Sequence, residues 1–141
     1  MTIRVLVVDD SIVLRRLVTE ALSGEKEIEV VGTARNGRVA LAKIAALEPD
    51  AVVMDVAMPE MDGIEAVRAL RRTHPWLPVV VLSTATERGA SAALEALAAG
   101  AGDHVIKPAN VGSIAGSRNS LREQLIPKIE ALVAARTGGA P

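Results

Sequence analysis

Val52, Val53 and Met54 run straight into Asp55, and a turn carrying Pro59 and Gly63 follows. A short apolar run closed by turn residues reads as a buried parallel strand whose C-terminal end is Asp55. Open α/β sheets bind their ligands in the crevice outside the carboxyl ends of the strands. Asp55 is therefore a carboxylate carried on rigid backbone at the mouth of a candidate site. Whatever fold the chain adopts must decide which residues stand beside it.

The other segments repeat the same grammar. Ile3 to Val8 is apolar and β-branched and stops at Asp9-Asp10-Ser11. Ile28 to Ala34 reads as a second strand with Asn36-Gly37 as a turn, and Ala51 to Asp55 as the third. Val79 to Ser83, introduced by Pro78, reads as the fourth, and Asp103 to Ile106, followed by Lys107-Pro108, as a short last strand. Between them lie helical stripes: Ile12, Leu17, Val18 and Leu22; Val39, Leu41, Ile44 and Leu47; Ile64, Val67 and Leu70 with Arg71; and small-residue Ala90 to Ala99, broken by Gly100-Ala101-Gly102. Residues 110–120 are rich in Gly, Ser and Asn and read as loop or frayed helix. Leu121, Leu125, Ile129 and Leu132 give a final amphipathic helix, in which Pro127 predicts a kink or a restart.

Five strands alternating with five helices predict a three-layer, doubly wound α/β fold with a parallel sheet, strand order 2-1-3-4-5. Right-handed crossovers put every strand C-terminus on one edge. That edge collects Asp9, Asp10, Asp55, Ser83 and Lys107. One domain is expected over residues 1–136, with 137–141 a tail or the start of a linker.

Composition removes whole classes of function. With no Phe, no Tyr and one Trp, the chain lacks the platforms that stack single-stranded nucleic acid. A net charge of −1 gives no basic field for a phosphate backbone. The absence of cysteine excludes disulfides, thiol chemistry and Cys-type zinc sites. The start lacks the pattern of a secretory signal, and no apolar run approaches a membrane span. A soluble cytoplasmic domain with no nucleic-acid partner and no membrane insertion is the expectation, and a monomer is expected beside it.

An acidic pair after a strand ordinarily caps a helix, a lone serine ordinarily serves a turn, and a lone lysine is ordinarily solvated. Their joint arrival at one sheet edge changes the reading. Three converging carboxylates repel one another, and a hard divalent cation such as Mg²⁺ resolves the repulsion. A cation, the Lys107 ammonium and the Ser83 hydroxyl around Asp55 are what phosphoryl transfer onto a carboxylate needs, since its catalysis is mostly positioning and charge neutralisation.

Asp9-Asp10-Ser11, Met54-Asp55 with Met58-Pro59-Glu60-Met61-Asp62-Gly63, Leu82-Ser83 and Lys107-Pro108 together resemble the receiver domains of two-component response regulators. The similarity spans about residues 3–132. Within that family, residues 28–34, Leu82-Ser83-Thr84 and Gly100-Ala101-Gly102-Asp103 most resemble the receivers of CheB chemotaxis methylesterases. The resemblance implies that Asp55 accepts phosphate from a histidine kinase, the chemotaxis kinase in a CheB-like system. It implies that Asp10 and Asp55 ligate Mg²⁺ directly and Asp9 through water, with the backbone carbonyl of Ala57 as a further ligand. Ser83 would bond the phosphoryl group and move inward as a switch, Lys107 would pair with that group, and the Lys107-Pro108 peptide would be cis.

Three positions depart from the pattern. Ala57 and Ala85 replace side chains able to orient an attacking water, which predicts a long-lived aspartyl phosphate. His104 stands where the family favours an aromatic switch residue. His74 is expected to cap a helix C-terminus, and Trp76 to close the core as a lid far from the site, with fluorescence blind to metal. An aspartyl-phosphate hydrolase is the enzyme alternative, but its second acid would fall at Ala57. A dinucleotide fold lacks its glycine fingerprint. The CheB resemblance implies a C-terminal hydrolase domain with a Ser-His-Asp triad. No Gly-x-Ser-x-Gly elbow occurs here. The expectation is an excised regulatory domain or, alternatively, a stand-alone receiver acting through protein binding.

Overall fold

A computed structural model describes residues 2–108 and 113–139. The elements are β1 (Ile3–Val8), α1 (Ile12–Ser23), β2 (Ile28–Ala34), α2 (Gly37–Leu47), β3 (Ala51–Asp55), α3 (Gly63–Thr73), β4 (Val79–Ser83), α4 (Glu87–Ala99), β5 (Asp103–Ile106) and α5 (Ile114–Gly139). The strands form one parallel sheet in the order β2-β1-β3-β4-β5, as predicted.

Successive strand residues point to opposite faces, and here both faces are dry. Val5, Val7, Val53, Val80 and Leu82 meet α1 and α5 through Val18, Leu22, Leu121, Leu125 and Ile129. Leu6, Val8, Val52, Met54, Val79 and Val81 face α2, α3 and α4 through Ile44, Val67, Leu70 and Ala96. Two cores on either side of one sheet explain why the strands read as continuous apolar runs rather than alternating ones.

The register aligns the strand ends. Val8 pairs with Met54, Asp55 with Leu82, and Ser83 with Ile106. Asp9 and Lys107 each lie one residue past a paired end, so they flank Asp55 and Ser83 on one edge. The ladder continues past the strands there. Asp9 N–H donates to Ala34 O at 3.0 Å, Val56 N–H to Leu82 O at 3.0 Å and Lys107 N–H to Ser83 O at 2.7 Å.

Several expectations are corrected. Of loop and frayed helix, the two readings of residues 110–120, the structure takes helix from Ile114, with the Ser113 hydroxyl accepting the Gly116 N–H at 2.9 Å. A composition rich in Ser and Gly suits a helix start as well as a loop. Residues 109–112 lie outside the described residues. Pro127 sits inside α5, which runs on through it, so no new helix restarts there. Residues 137–139, expected as a tail or the start of a linker, are helical and continue α5, and residues 140–141 lie outside the described residues. Trp76 is 58 % exposed, and the lid role falls to its neighbour Leu77, which is buried. His74 occupies the C-cap position of α3, where its backbone N–H donates to Leu70 O at 2.6 Å.

Arg71 is the residue on α3 whose role exceeds what the sequence suggested. Its guanidinium donates to the carbonyls of Gly100, His74 and Leu77 at 2.8, 2.9 and 2.8 Å, tying the ends of α3 and α4 to the turn before β4. Burial lowers its pKa from the ordinary value, but arginine stays charged. Arg71→Met leaves three carbonyls without that donor and is expected to cost about 2–3 kcal/mol. Urea unfolding of the variant beside the parent protein measures this; a loss under about 0.5 kcal/mol would mean water replaces the guanidinium freely.

Candidate functional site

Each side chain of the cluster is aimed by its local backbone. After β1 the chain turns into α1, and the cap is Ser11: its Oγ accepts the Leu14 N–H at 3.2 Å. The acidic pair is thereby released from capping. Asp9 Oδ1 accepts the Ser11 N–H at 2.9 Å, an Asx-type turn that fixes the carboxylate. Its other oxygen, Oδ2, is buried and has no hydrogen-bond partner among the described residues. Arg15, which sequence reasoning missed, holds the Asp9 carbonyl through Nη1 at 2.7 Å. Asp10 stands exposed beside Asp9.

Asp55 ends β3 and is 2 % exposed. Its Oδ1 accepts the Ala57 N–H at 3.3 Å and its Oδ2 accepts from Lys107 Nζ at 2.8 Å. Close approach of α3 to this strand end requires Gly63, where a Cβ would collide with the Asp55 carbonyl oxygen. Lys107 Nζ also lies 3.7 Å from Asp9 Oδ2, so one ammonium serves two buried carboxylates. Ser83 is buried at the end of β4, beside the strand that delivers Lys107.

The electrostatics are unresolved by protein groups alone. Burial raises the Asp9 pKa from 3.8 to about 6, the Ser11 N–H offsets part of that, and the Asp55 charge adds to it. Burial also raises Asp55, against the hydrogen bond and charge of Lys107. One lysine does not balance this much buried negative charge. Asp9, Asp10 and Asp55 each offer an oxygen within 4.8 Å of the others, and with the orphaned Asp9 Oδ2 this donor set fits a hard cation.

The other residues that the sequence singles out fall around this centre. The Ala57 side chain is exposed and carries no polar group. His104 on β5 lines a cavity of about 490 Å³ between α4 and β5, with Ser83, Thr84, Leu94, Leu97 and Ile106. Among the described residues its Nδ1 has no hydrogen-bond partner, and it lies 3.8 Å from Asp103 Oδ1. The cis expectation fails. No peptide bond among the described residues is cis, Lys107-Pro108 included, in keeping with the trans preference that X-Pro bonds retain.

Residues 5–117 match the family described as response regulator receiver domain. The chain belongs to that family. A protein-glutamate methylesterase/protein-glutamine glutaminase of Nocardioides sp. is 61% identical over 134 residues, covering 95% of this chain and 37% of that protein. One from Trichodesmium erythraeum is 49% identical over 127 residues, covering 90% of this chain and 36% of that protein. The response regulator domain of Thermotoga maritima CheB superposes with a TM-score of 0.83 at 35% identity, covering 95% of this chain and 98% of that one. This receiver is thus CheB-like, and it spans little more than a third of the length of the curated relatives it matches. Among the described residues no helix is long and apolar enough to cross a membrane.

Proposed function

We propose that this receiver takes a phosphoryl group on Asp55 from a histidine kinase, with Mg²⁺, and thereby controls a methylesterase domain in cis in the cytoplasm. The observation that carries this reading is the convergence of Asp9, Asp55 and Lys107 on one sheet edge, with Asp9 Oδ2 making no hydrogen bond among the described residues. Asp9, Asp10, Asp55 and the Ala57 carbonyl would hold the ion, which would neutralise charge on the transferring group. An Asp55 oxygen attacks phosphorus and forms a P–O bond. The P–N bond to the kinase histidine breaks, and the leaving imidazole keeps the electron pair and is protonated. Lys107 then pairs with the phosphoryl oxygens in place of the free carboxylate, and the Ser83 hydroxyl donates to them. Residues 1–136 act as the receiver, 137–141 begin the connection to the output domain, and His104 takes the switch position beside Ser83.

The test is phosphorylation by acetyl phosphate and Mg²⁺, read by intact mass. A single phosphoryl adduct is expected on the parent protein and none on Asp55→Asn. Because Ala57 carries no group to orient water, the adduct is expected to persist, and Ala57→Asn to shorten its life severalfold. An adduct surviving in Asp55→Asn overturns the assignment; continuous release of phosphate from many phosphomonoesters favours the hydrolase instead.

A further inference from the structure

The turn after β3 is fastened to a part of the chain that the sequence marked only as a turn. Asn36 is 3 % exposed, and its side chain is used twice. Its Oδ1 accepts the Val39 N–H at 2.9 Å and caps α2, while Nδ2 donates to Glu60 Oε2 at 3.0 Å. One residue on, Gly37 N–H donates to the Met61 carbonyl at 2.9 Å. A Cβ at Gly37 would stand 2.7 Å from that oxygen and from Met61 Cγ, so glycine lets the two turns meet. Glu60 holds φ +66, a left-handed backbone that Gly, Asn and Asp adopt more readily. Its bond to Asn36 is the one its exposed side chain makes among the described residues.

These contacts join the two halves of the site. Asp9 is held from β2, through its N–H on Ala34 O. Two residues later the same segment, through Asn36 and Gly37, grips residues 60–61 of the turn that follows Asp55. That turn is anchored at its base, where Gly63 N–H donates to Val56 O at 3.0 Å. At the other end the Ala57 N–H is held on Asp55 Oδ1, and between these two anchors the latch fixes residues 58–61. We infer that Asn36 and Glu60 are positioning residues: their bond sets where the Ala57 carbonyl stands relative to the Asp9 and Asp10 carboxylates, and so the affinity for the divalent cation. The inference rests on the proposed metal site and adds to it two residues outside the acidic cluster.

Polarity reversal tests it. Asn36→Asp keeps the oxygen that caps α2 but sets two carboxylates against each other. Glu60→Gln keeps an acceptor, and in the double variant the new amide donates to the new carboxylate. Mg²⁺ is titrated calorimetrically without phosphodonor, and exchange of the Gly37 amide is followed by NMR. Asn36→Asp is expected to bind Mg²⁺ about tenfold more weakly and to exchange Gly37 faster. Glu60→Gln and the double variant are expected to lie within about twofold of the parent protein. Glu60→Gly relieves the left-handed backbone yet removes the latch, so its melting temperature holds or rises while Mg²⁺ affinity falls. A purely structural role would move the two together. Parent-like affinity in Asn36→Asp, or no rescue in the double variant, overturns the latch alone. A parent protein that binds no Mg²⁺ overturns the metal site with it.

Discussion

Lys107→Met is expected to destabilise the metal-free domain by about 2–3 kcal/mol at neutral pH, and by much less when Mg²⁺ is saturating. Lys107 Nζ sits 2.8 Å from Asp55 Oδ2 and 3.7 Å from Asp9 Oδ2, and both carboxylates are buried. Removing one partner of a buried pair is costly because the other charge stays buried and uncompensated. Here two charges are left. The lysine is itself 19 % exposed, and water entering beside it keeps the loss below that of a fully enclosed pair. A divalent cation supplies the missing charge at the same oxygens, so metal is expected to rescue the variant more than it stabilises the parent protein. Urea unfolding in chelator and in Mg²⁺ measures both arms. Equal losses in the two conditions would show that Lys107 acts on something other than the acidic cluster.

Asp9→Asn is expected to have the opposite sign. A carboxyl with a folded-state pKa of about 6, against 3.8 for the free group, holds its proton more tightly in the folded chain. From this group, folding stability is greatest below about pH 4, falls as pH rises to about 6 and stays low above it. The displacement corresponds to roughly 2–3 kcal/mol lost at neutral pH. An amide carries no charge to bury, and its oxygen can still accept the Ser11 N–H. Asp9→Asn should therefore stabilise the metal-free domain by about 1–2 kcal/mol at neutral pH and flatten the slope between about pH 4 and 6. Its Mg²⁺ affinity and phosphorylation should fall sharply. Chemical unfolding across that pH range, with chelator present, is the measurement. A parent protein whose stability rises steadily over the range would show that Asp9 is not held against its charge. Asp55, also raised, contributes with the same sign, and Lys107→Met should recover much of its loss at the acidic end.

The fold was legible because the central strands β1, β3 and β4 are buried on both faces almost throughout. Val79 to Leu82 can serve no other element in a chain this size, and punctuation by Pro78 and Ser83 set the ends. The start of α5 was legible only as one of two readings, because Ser113 and Gly116 suit a loop as well as a helix start, and the burial that anchors the helix begins further on, at Leu121 and Leu125. Trp76 shows the reverse failure. Its bulk suggested a lid, but the buried position in that turn is filled by Leu77.

What the sequence determined by itself is the parallel order of strands and which side chains end them. Hydrophobic runs and turn residues act over a few positions, and right-handed crossovers then leave Asp9, Asp55, Ser83 and Lys107 one edge to occupy. Tertiary structure alone decided how those groups are poised. Asn36 and Glu60 are separated by 24 positions and Arg71 and Gly100 by 29, and no local preference of either partner announces the other. Whether Asp9 caps a helix or turns its second oxygen toward Lys107 depends on Ser11 taking the cap and on burial withdrawing water. Burial is a property of the assembled cores, so a carboxylate's charge, partner and readiness for a cation exist only once the sheet is closed on both faces.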